Sequence, residues 1–433
     1  MTRPFGQQLP RLKTAVPGPQ SQAWIDRLAL RECPAITARR ARRAASLGTA
    51  SDDPIVWESA EGANVCDVDG NTFVDLTAGF GVASVGHRNP RVVAAGQQQL
   101  GRLPHAMGDA FPDPQRIRLL ERLAALSGLD RTILGSSGSD AVEAALKTAR
   151  MATGRDRVVA FSASYHGLSY GVLATTGYKR QSFQAPFAGQ LGGHVQHMAF
   201  GGPLPALDDV GAVLVEPIQG RGGVRVPPAG WLARLIDAAH AAGAVVIFDE
   251  IYTGFGRTGD WFAFQHADLQ GRRPDLVCVG KGMAGGYPIS ACMGSAAVMD
   301  AWGASRGEAI HTQTFLGNPV GSAMALAAIA EVEAILPTVL ERSQWLRQAL
   351  AQRGLSTRGR GFLVGIEVPN TLALSRALLQ QGYIVLPAGE SAEVLALTPP
   401  LTITEAQLNG FLVALDQAMA WHSAADHSDH AKM

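Results

Sequence analysis

The chain has 433 residues, 47% of them hydrophobic, so it can bury a sizeable core, and its length predicts two or three domains. Lys+Arg and Asp+Glu both number 37, and the resulting zero formal charge argues against nucleic acid or an anionic membrane as the main partner. Cys33, Cys66, Cys278 and Cys292 form no CxxC pair and read as buried small hydrophobes in a reducing compartment.

Residues 1 to about 50 are polar and arginine-rich and read as an arm of helix and coil. They hold no apolar segment of the signal-peptide kind, and no run anywhere approaches the ~20 uncharged apolar residues of a membrane span. The expected location is therefore the cytoplasm. Arg39, Arg40, Arg42 and Arg43 read as a solvated helix face. NVCDVDGNTFVDL then alternates apolar and polar residues around Asp69-Gly70, which predicts a hairpin.

From about residue 88 to 325, the strand-like runs ILGSSGS, RVVAFSA, GAVLVEP, AVVIFDE and DLVCVGK alternate with helical ones. Such alternation implies an α/β fold, a mostly parallel central sheet flanked by helices. After the alanine-rich stretch at 322–335, a helix leads to FLVGIEV, then YIVLP, and a final amphipathic helix near 404–420. The chain thus divides into an arm and hairpin (1–87), a large domain (88–325) and a smaller α+β domain (326–433) that the hairpin joins. His422, His427 and His430 among Asp426 and Asp429 read as a frayed polar terminus rather than a metal site.

Chemistry concentrates at the strand ends. Lys281 follows the run in PDLVCVGKG, and Asp249 closes the run in AVVIFDE. Ligands of an open parallel sheet collect at the carboxyl ends of its strands, so the two side chains can converge. A lysine amine there can form a Schiff base with the pyridoxal-phosphate aldehyde, and a carboxylate can keep the pyridine nitrogen protonated. GSSGSDAVEAALKTAR turns from a strand into a helix whose exposed N–H groups suit a phosphate, although Ser and Gly before a helix often mean only a cap. In FSASYHGLSYG, Tyr165 can lie flat on a cofactor ring with His166 beside it, and HTQTFLGNP supplies Thr314 as a second phosphate candidate.

With VEPIQGRGG, FDEIYTGFGRTG, GKGMAGGYP and HTQTFLGNP in this order, the chain resembles the class III aminotransferases of the type I pyridoxal-phosphate fold. The resemblance runs from DVDGNTFVDL to PPLTITEAQL. It implies a homodimer with active sites at the subunit interface, acting on a small-molecule amino donor and a 2-oxo acid. Lys281 would be the Schiff-base lysine and proton shuttle, and Asp249 the pyridinium partner. Gly138 and Ser139 would hold the phosphate, with Thr314 reaching the neighbouring subunit's cofactor. Tyr165 and Ile251 would cover the two ring faces, and Glu216 would lie on the substrate side. Phe80 stands at the family's substrate-gate position.

Four positions depart from the family. Ala396 in VLALTPPL replaces an arginine that binds the substrate α-carboxylate, and Arg221 replaces the glutamate that pairs with it. Leu168 stands where many members have an arginine for a distal carboxylate. Tyr252 replaces a glutamine near the cofactor's phenolic oxygen and can offer one hydroxyl there. Without an acidic partner, Arg221 can bind a substrate carboxylate bidentately; alternatively it pairs with a structural carboxylate and the substrate is a plain amine. The expected activity is transfer of an amino group from an amine or ω-amino acid to a 2-oxo acid. An amino-acid epimerase or racemase on the same scaffold, or a non-catalytic binding protein, is the competing reading.

Overall fold

Asp69-Gly70 lies in the turn between the strands Asn64–Asp67 and Thr72–Asp75, which pair antiparallel. Asp67 makes the turn: its Oδ1 accepts the N–H groups of Asp69 at 3.1 Å and Asn71 at 2.8 Å, and Gly70 takes a φ of +79°. Trp57–Glu61 extends this sheet on one side, and Tyr383–Ile384 joins it on the other, parallel to Thr72–Asp75. The computed structural model describes residues 5–34, 54–204, 206–303 and 309–430, with side chains described up to residue 420. The basic cluster at 39–43 and the side chains of the histidine tail lie outside the described residues.

The central sheet has seven strands. In spatial order they are Arg131–Gly135, Ser290–Gly294, Leu276–Val279 and Val245–Asp249, followed by Val210–Val215, Arg157–Phe161 and Val195–Met198. Only Ser290–Gly294 runs antiparallel to its neighbours. The inner strands are buried along their whole length, the continuous apolar pattern of a sheet covered on both faces. Two strands escape the sequence reading for physical reasons. SACMG carries small residues in place of β-branched ones, and VQHM is a half-exposed edge.

A third sheet orders Thr357–Arg360, Leu363–Glu367, Val394–Leu397 and Leu386–Ala388, all antiparallel. YIVLP is therefore not one strand: Tyr383–Ile384 belongs to the hairpin sheet and Leu386–Ala388 to this one, with buried Val385 at the crossing. The helix Pro319–Ala351 ties the two halves together. Ala325, Ala328, Ile329 and Val332 face the large core, while Val339, Leu346 and Leu350 face the small one. It is long and apolar enough to cross a membrane by composition, yet Glu331 pairs with Arg91 and Glu333 with Arg122, so its polar positions serve this fold. The final helix runs Glu405–His430, ten residues past the expected end. Of the cysteines, Cys278 and Cys292 are buried, but Cys66 is half-buried and Cys33 is exposed, because the first helix shows most of its surface to solvent.

Candidate active site

Val245–Asp249 and Leu276–Val279 are parallel neighbours with Asp249 opposite Cys278, so Asp249 and Lys281 emerge at the same edge of the sheet. Asp249 is 4% exposed. Its Oδ1 accepts the N–H of Ile251 at 3.1 Å, and its Oδ2 lies 2.7 Å from Nδ1 of His166. A carboxylate accepts only, so Nδ1 carries the proton there, and Nε2 of His166 is left buried without a partner.

Glu216 is equally enclosed. Its Oε1 accepts the N–H of Tyr165 at 2.7 Å and its Oε2 that of Gly220 at 3.1 Å. Burial, reinforced by Asp249, pushes its carboxyl above the ordinary glutamate range against the pull of His166 and the two N–H groups. The Lys281 amine is pushed the other way. Burial lowers it and Arg221 adds to that, while Asp249 and Glu216 oppose them without prevailing.

The helix Gly138–Thr153 opens beside this pair through a capping box. Ser137 Oγ accepts the N–H of Asp140 at 3.3 Å, and Asp140 Oδ2 accepts the N–H groups of Ser136 and Ser137 at 3.0 and 2.9 Å. That leaves the N–H groups of Gly138 and Ser139 without a protein partner among the described residues, at the positive end of a sixteen-residue helix. Space is tight around them. A Cβ on Gly138 would meet Ile251 at 2.8 Å, and one on Gly167 would meet Ser139 Oγ at 2.1 Å.

A cavity of about 390 Å³ opens here, with Gly138, Ser139, Tyr165, His166, Ile251 and Lys281 on its wall. Asp249 and Glu216 stand directly behind it, tied to His166 and Tyr165. A larger hollow of about 610 Å³ beside the edge strand, at Arg180 and His197, contains none of these residues. Thr314 is exposed and off the cavity wall, although its neighbour Gln313 accepts a hydrogen bond from Ser136 Oγ at 3.0 Å. Phe80 is 62% exposed on the turn Ala78–Gly81, where all four residues have positive φ and Asp75 Oδ2 accepts the N–H of Gly79.

Arg221 is half-buried. Its guanidinium stands 4.5 Å from the centroid of the Tyr165 ring and 5.2 Å from that of Tyr178, and it forms no ion pair among the described residues. No motif spacing points to Tyr178; only the fold brings it to Arg221. Ala396 lies instead in a small apolar patch with Ile218, Val224, Leu363 and Tyr252. The Tyr252 hydroxyl, expected at the cofactor's phenolic oxygen, is committed elsewhere. Thr398 donates its one hydroxyl proton to Thr77 O at 3.0 Å, so at 3.2 Å it accepts from Tyr252.

The donor set fits pyridoxal phosphate. Two N–H groups at a helix start suit a phosphate, Tyr165 and Ile251 both line the cavity, Lys281 with its lowered amine stands on the same wall, and the buried Asp249 carboxylate is tied to His166 there.

Residues 48–419 match the family model described as Aminotransferase class-III. An acetylornithine aminotransferase of Mycobacterium bovis is 39% identical over 399 residues, covering 88% of this chain and 95% of that protein. A 4-aminobutyrate aminotransferase of the same organism is 35% identical, covering 93% and 96%. Among solved structures, the ornithine aminotransferase of Toxoplasma gondii aligns with a TM-score of 0.81 at 28% identity over 96% of this chain and 97% of that one. A PLP-bound amine transaminase from an uncultivated Pseudomonas species gives 0.77 at 27% identity, over 85% and 95%.

Proposed function

The chain belongs to the class-III aminotransferase family and is a pyridoxal-phosphate-dependent aminotransferase, and we propose that its amino donor is an ω-amino acid or amine whose carboxylate, where present, meets Arg221. The observation that carries the donor assignment is the guanidinium of Arg221, which lies near the rings of Tyr165 and Tyr178 with no carboxylate paired to it among the described residues. Acetylornithine and 4-aminobutyrate, named in the relatives, are both amines that bear a carboxylate at a distance.

When bound, pyridoxal phosphate supplies an electrophilic aldehyde and a ring that accepts electrons from the substrate carbon. Gly138 and Ser139 would hold its phosphate with their N–H groups, and Thr314 of a second copy would add a hydroxyl. Tyr165 and Ile251 would confine the ring. Asp249, oriented by hydrogen bonds from His166 Nδ1 and the N–H of Ile251, would accept a hydrogen bond from the ring nitrogen's proton. Lys281 would remove a proton from the substrate carbon and deliver it on the cofactor side. Its burial suits it to that work, because lowering the amine from its ordinary value makes the lone pair easier to expose. Phe80 would close the substrate entrance.

The homodimer, the cytoplasmic location and the three-part domain division belong to the same proposal, with the domain boundary drawn inside the helix Pro319–Ala351. Exposed Phe80 at 62%, Phe315 at 62% and Ile310 at 70% support a subunit interface. The test of the activity is a single half-reaction. Donor alone should release one equivalent of oxo product per site and stop until a 2-oxo acid is added. An epimerase would invert the donor without stopping, and a binding protein would leave it unchanged.

A further inference from the structure

Lys281 ends on an aromatic face rather than on a carboxylate. Its Nζ lies 4.6 Å from the centroid of the Tyr252 ring, and it forms no ion pair among the described residues. We propose that the face of Tyr252 is the seat of the Lys281 ammonium group, a positioning residue that holds the amine in one place whenever it is free of the cofactor.

The ring cannot turn away. Gly81 and Gly220 flank its two edges, and a Cβ on either would strike it, at 2.4 and 2.0 Å respectively. Gly81 has a φ of +79°, a second reason for glycine there. Gly220 is anchored in turn by its N–H bond to Glu216, and the far end of the ring by the hydroxyl bond to Thr398. That bond takes the phenolic proton away from Lys281, so the amine meets the π face and not the hydroxyl. A glutamine, the family residue at this position, has no such face.

A ring face attracts a cation and leaves a neutral amine nearly untouched. It therefore opposes the burial that lowers the lysine, together with the more distant carboxylates Asp249 and Glu216, while Arg221 acts against it. Arg257, Asp75 and Arg221 are the charged groups felt by Tyr252 itself. The amine is thereby kept in place for proton transfer, instead of swinging through the cavity. The seat is a property of the protein; only its catalytic use rests on the aminotransferase reading.

The experiment measures the pH-dependence of acylation at Lys281 in the cofactor-stripped full chain, resolved by peptide mass spectrometry. Tyr252→Phe should keep the wild-type midpoint, because it keeps the face. Pentafluorophenylalanine at position 252 keeps the shape but reverses the potential of the face, and should lower the midpoint by about one unit. Tyr252→Leu should lower it as well. In the cofactor-reconstituted variants, turnover should fall from Tyr252→Phe to the fluorinated protein while KM for the donor stays level. An unchanged midpoint in the fluorinated protein would overturn the seat, as would a Tyr252→Phe shift as large as that of the fluorinated ring. Because the titration needs no substrate, it stands or falls apart from the half-reaction test.

Discussion

His166 Nδ1 and Asp249 Oδ2 meet at 2.7 Å in a place where His166 is 2% and Asp249 4% exposed. The hydrogen bond from the imidazole orients the carboxylate. Asp249→Asn should therefore lower turnover by orders of magnitude with the fold intact, because a neutral amide cannot keep the ring nitrogen protonated. His166→Asn, which weakens only the support, should cost roughly ten- to a hundredfold, the scale of one hydrogen bond to a charged group. Single-turnover rates with saturating donor check both. Turnover of Asp249→Asn within a few-fold of wild type would remove Asp249 from the assignment.

Lys281 and Asp249 are legible in the chain because each closes a β-branched run, and a parallel sheet brings such ends together. The phosphate cradle is legible too, since Ser137 and Asp140 have capping-box spacing. The link from His166 to Asp249 spans 83 residues and leaves no local signal. The same holds for Tyr178 against Arg221 and for Tyr252 between two glycines, contacts that only tertiary packing creates. Ser290–Gly294 escaped notice because serine, alanine, cysteine and glycine give no strand pattern, although the sheet buries every one of them.

Thr314 is exposed and lies off the wall of its own chain's cavity, the disposition expected of a residue that serves a neighbour. In the proposed dimer, Lys281→Ala would remove one part of a shared site, and Thr314→Asp would set a negative charge against the phosphate at the other. Each homodimer should be inactive. Mixed dimers should recover activity, because one of their two sites receives wild-type Lys281 and wild-type Thr314 together. Demonstrated subunit exchange without recovery would place the whole site within one chain.

Glu250, next to Asp249, is fully buried and its Oε atoms accept the N–H groups of Ala263 and Phe264 and the hydroxyl of Thr253. Burial still pushes its carboxyl up to about 7. The folded state thus binds this proton more tightly than the unfolded chain does. The stabilisation is full below the ordinary glutamate range near 4.5 and is lost as pH rises through about 7. Across that window the loss is on the order of 3 kcal/mol. Glu250→Gln cannot ionise, so urea unfolding from pH 4 to 8 should show wild type falling relative to the variant. Parallel curves would mean that Glu250 titrates alike in the folded and unfolded states.

Arg221 is where the chain leaves its family most clearly, and its half-buried position changes what the residue needs. The guanidinium carbon lies 4.5 Å from the Tyr165 ring centroid and 5.2 Å from that of Tyr178, and no carboxylate pairs with its N–H donors among the described residues, so the fork remains for an anion. Arg221→Ala should raise KM for carboxylate-bearing donors roughly ten- to a hundredfold, the scale of a lost charged hydrogen-bond pair. Plain amines should be almost unaffected in their own half-reaction. Arg221→Lys should behave more like the alanine variant, because an ammonium presents no fork for a carboxylate. Arg221→Glu with Ala396→Arg should move preference toward α-amino acids, since it restores the family pair. Half-reactions measured separately for a plain amine and an ω-amino acid decide the matter. Equal losses for both donors would make Arg221 a support for Tyr165 rather than a carboxylate receptor, and the donor would then be an amine.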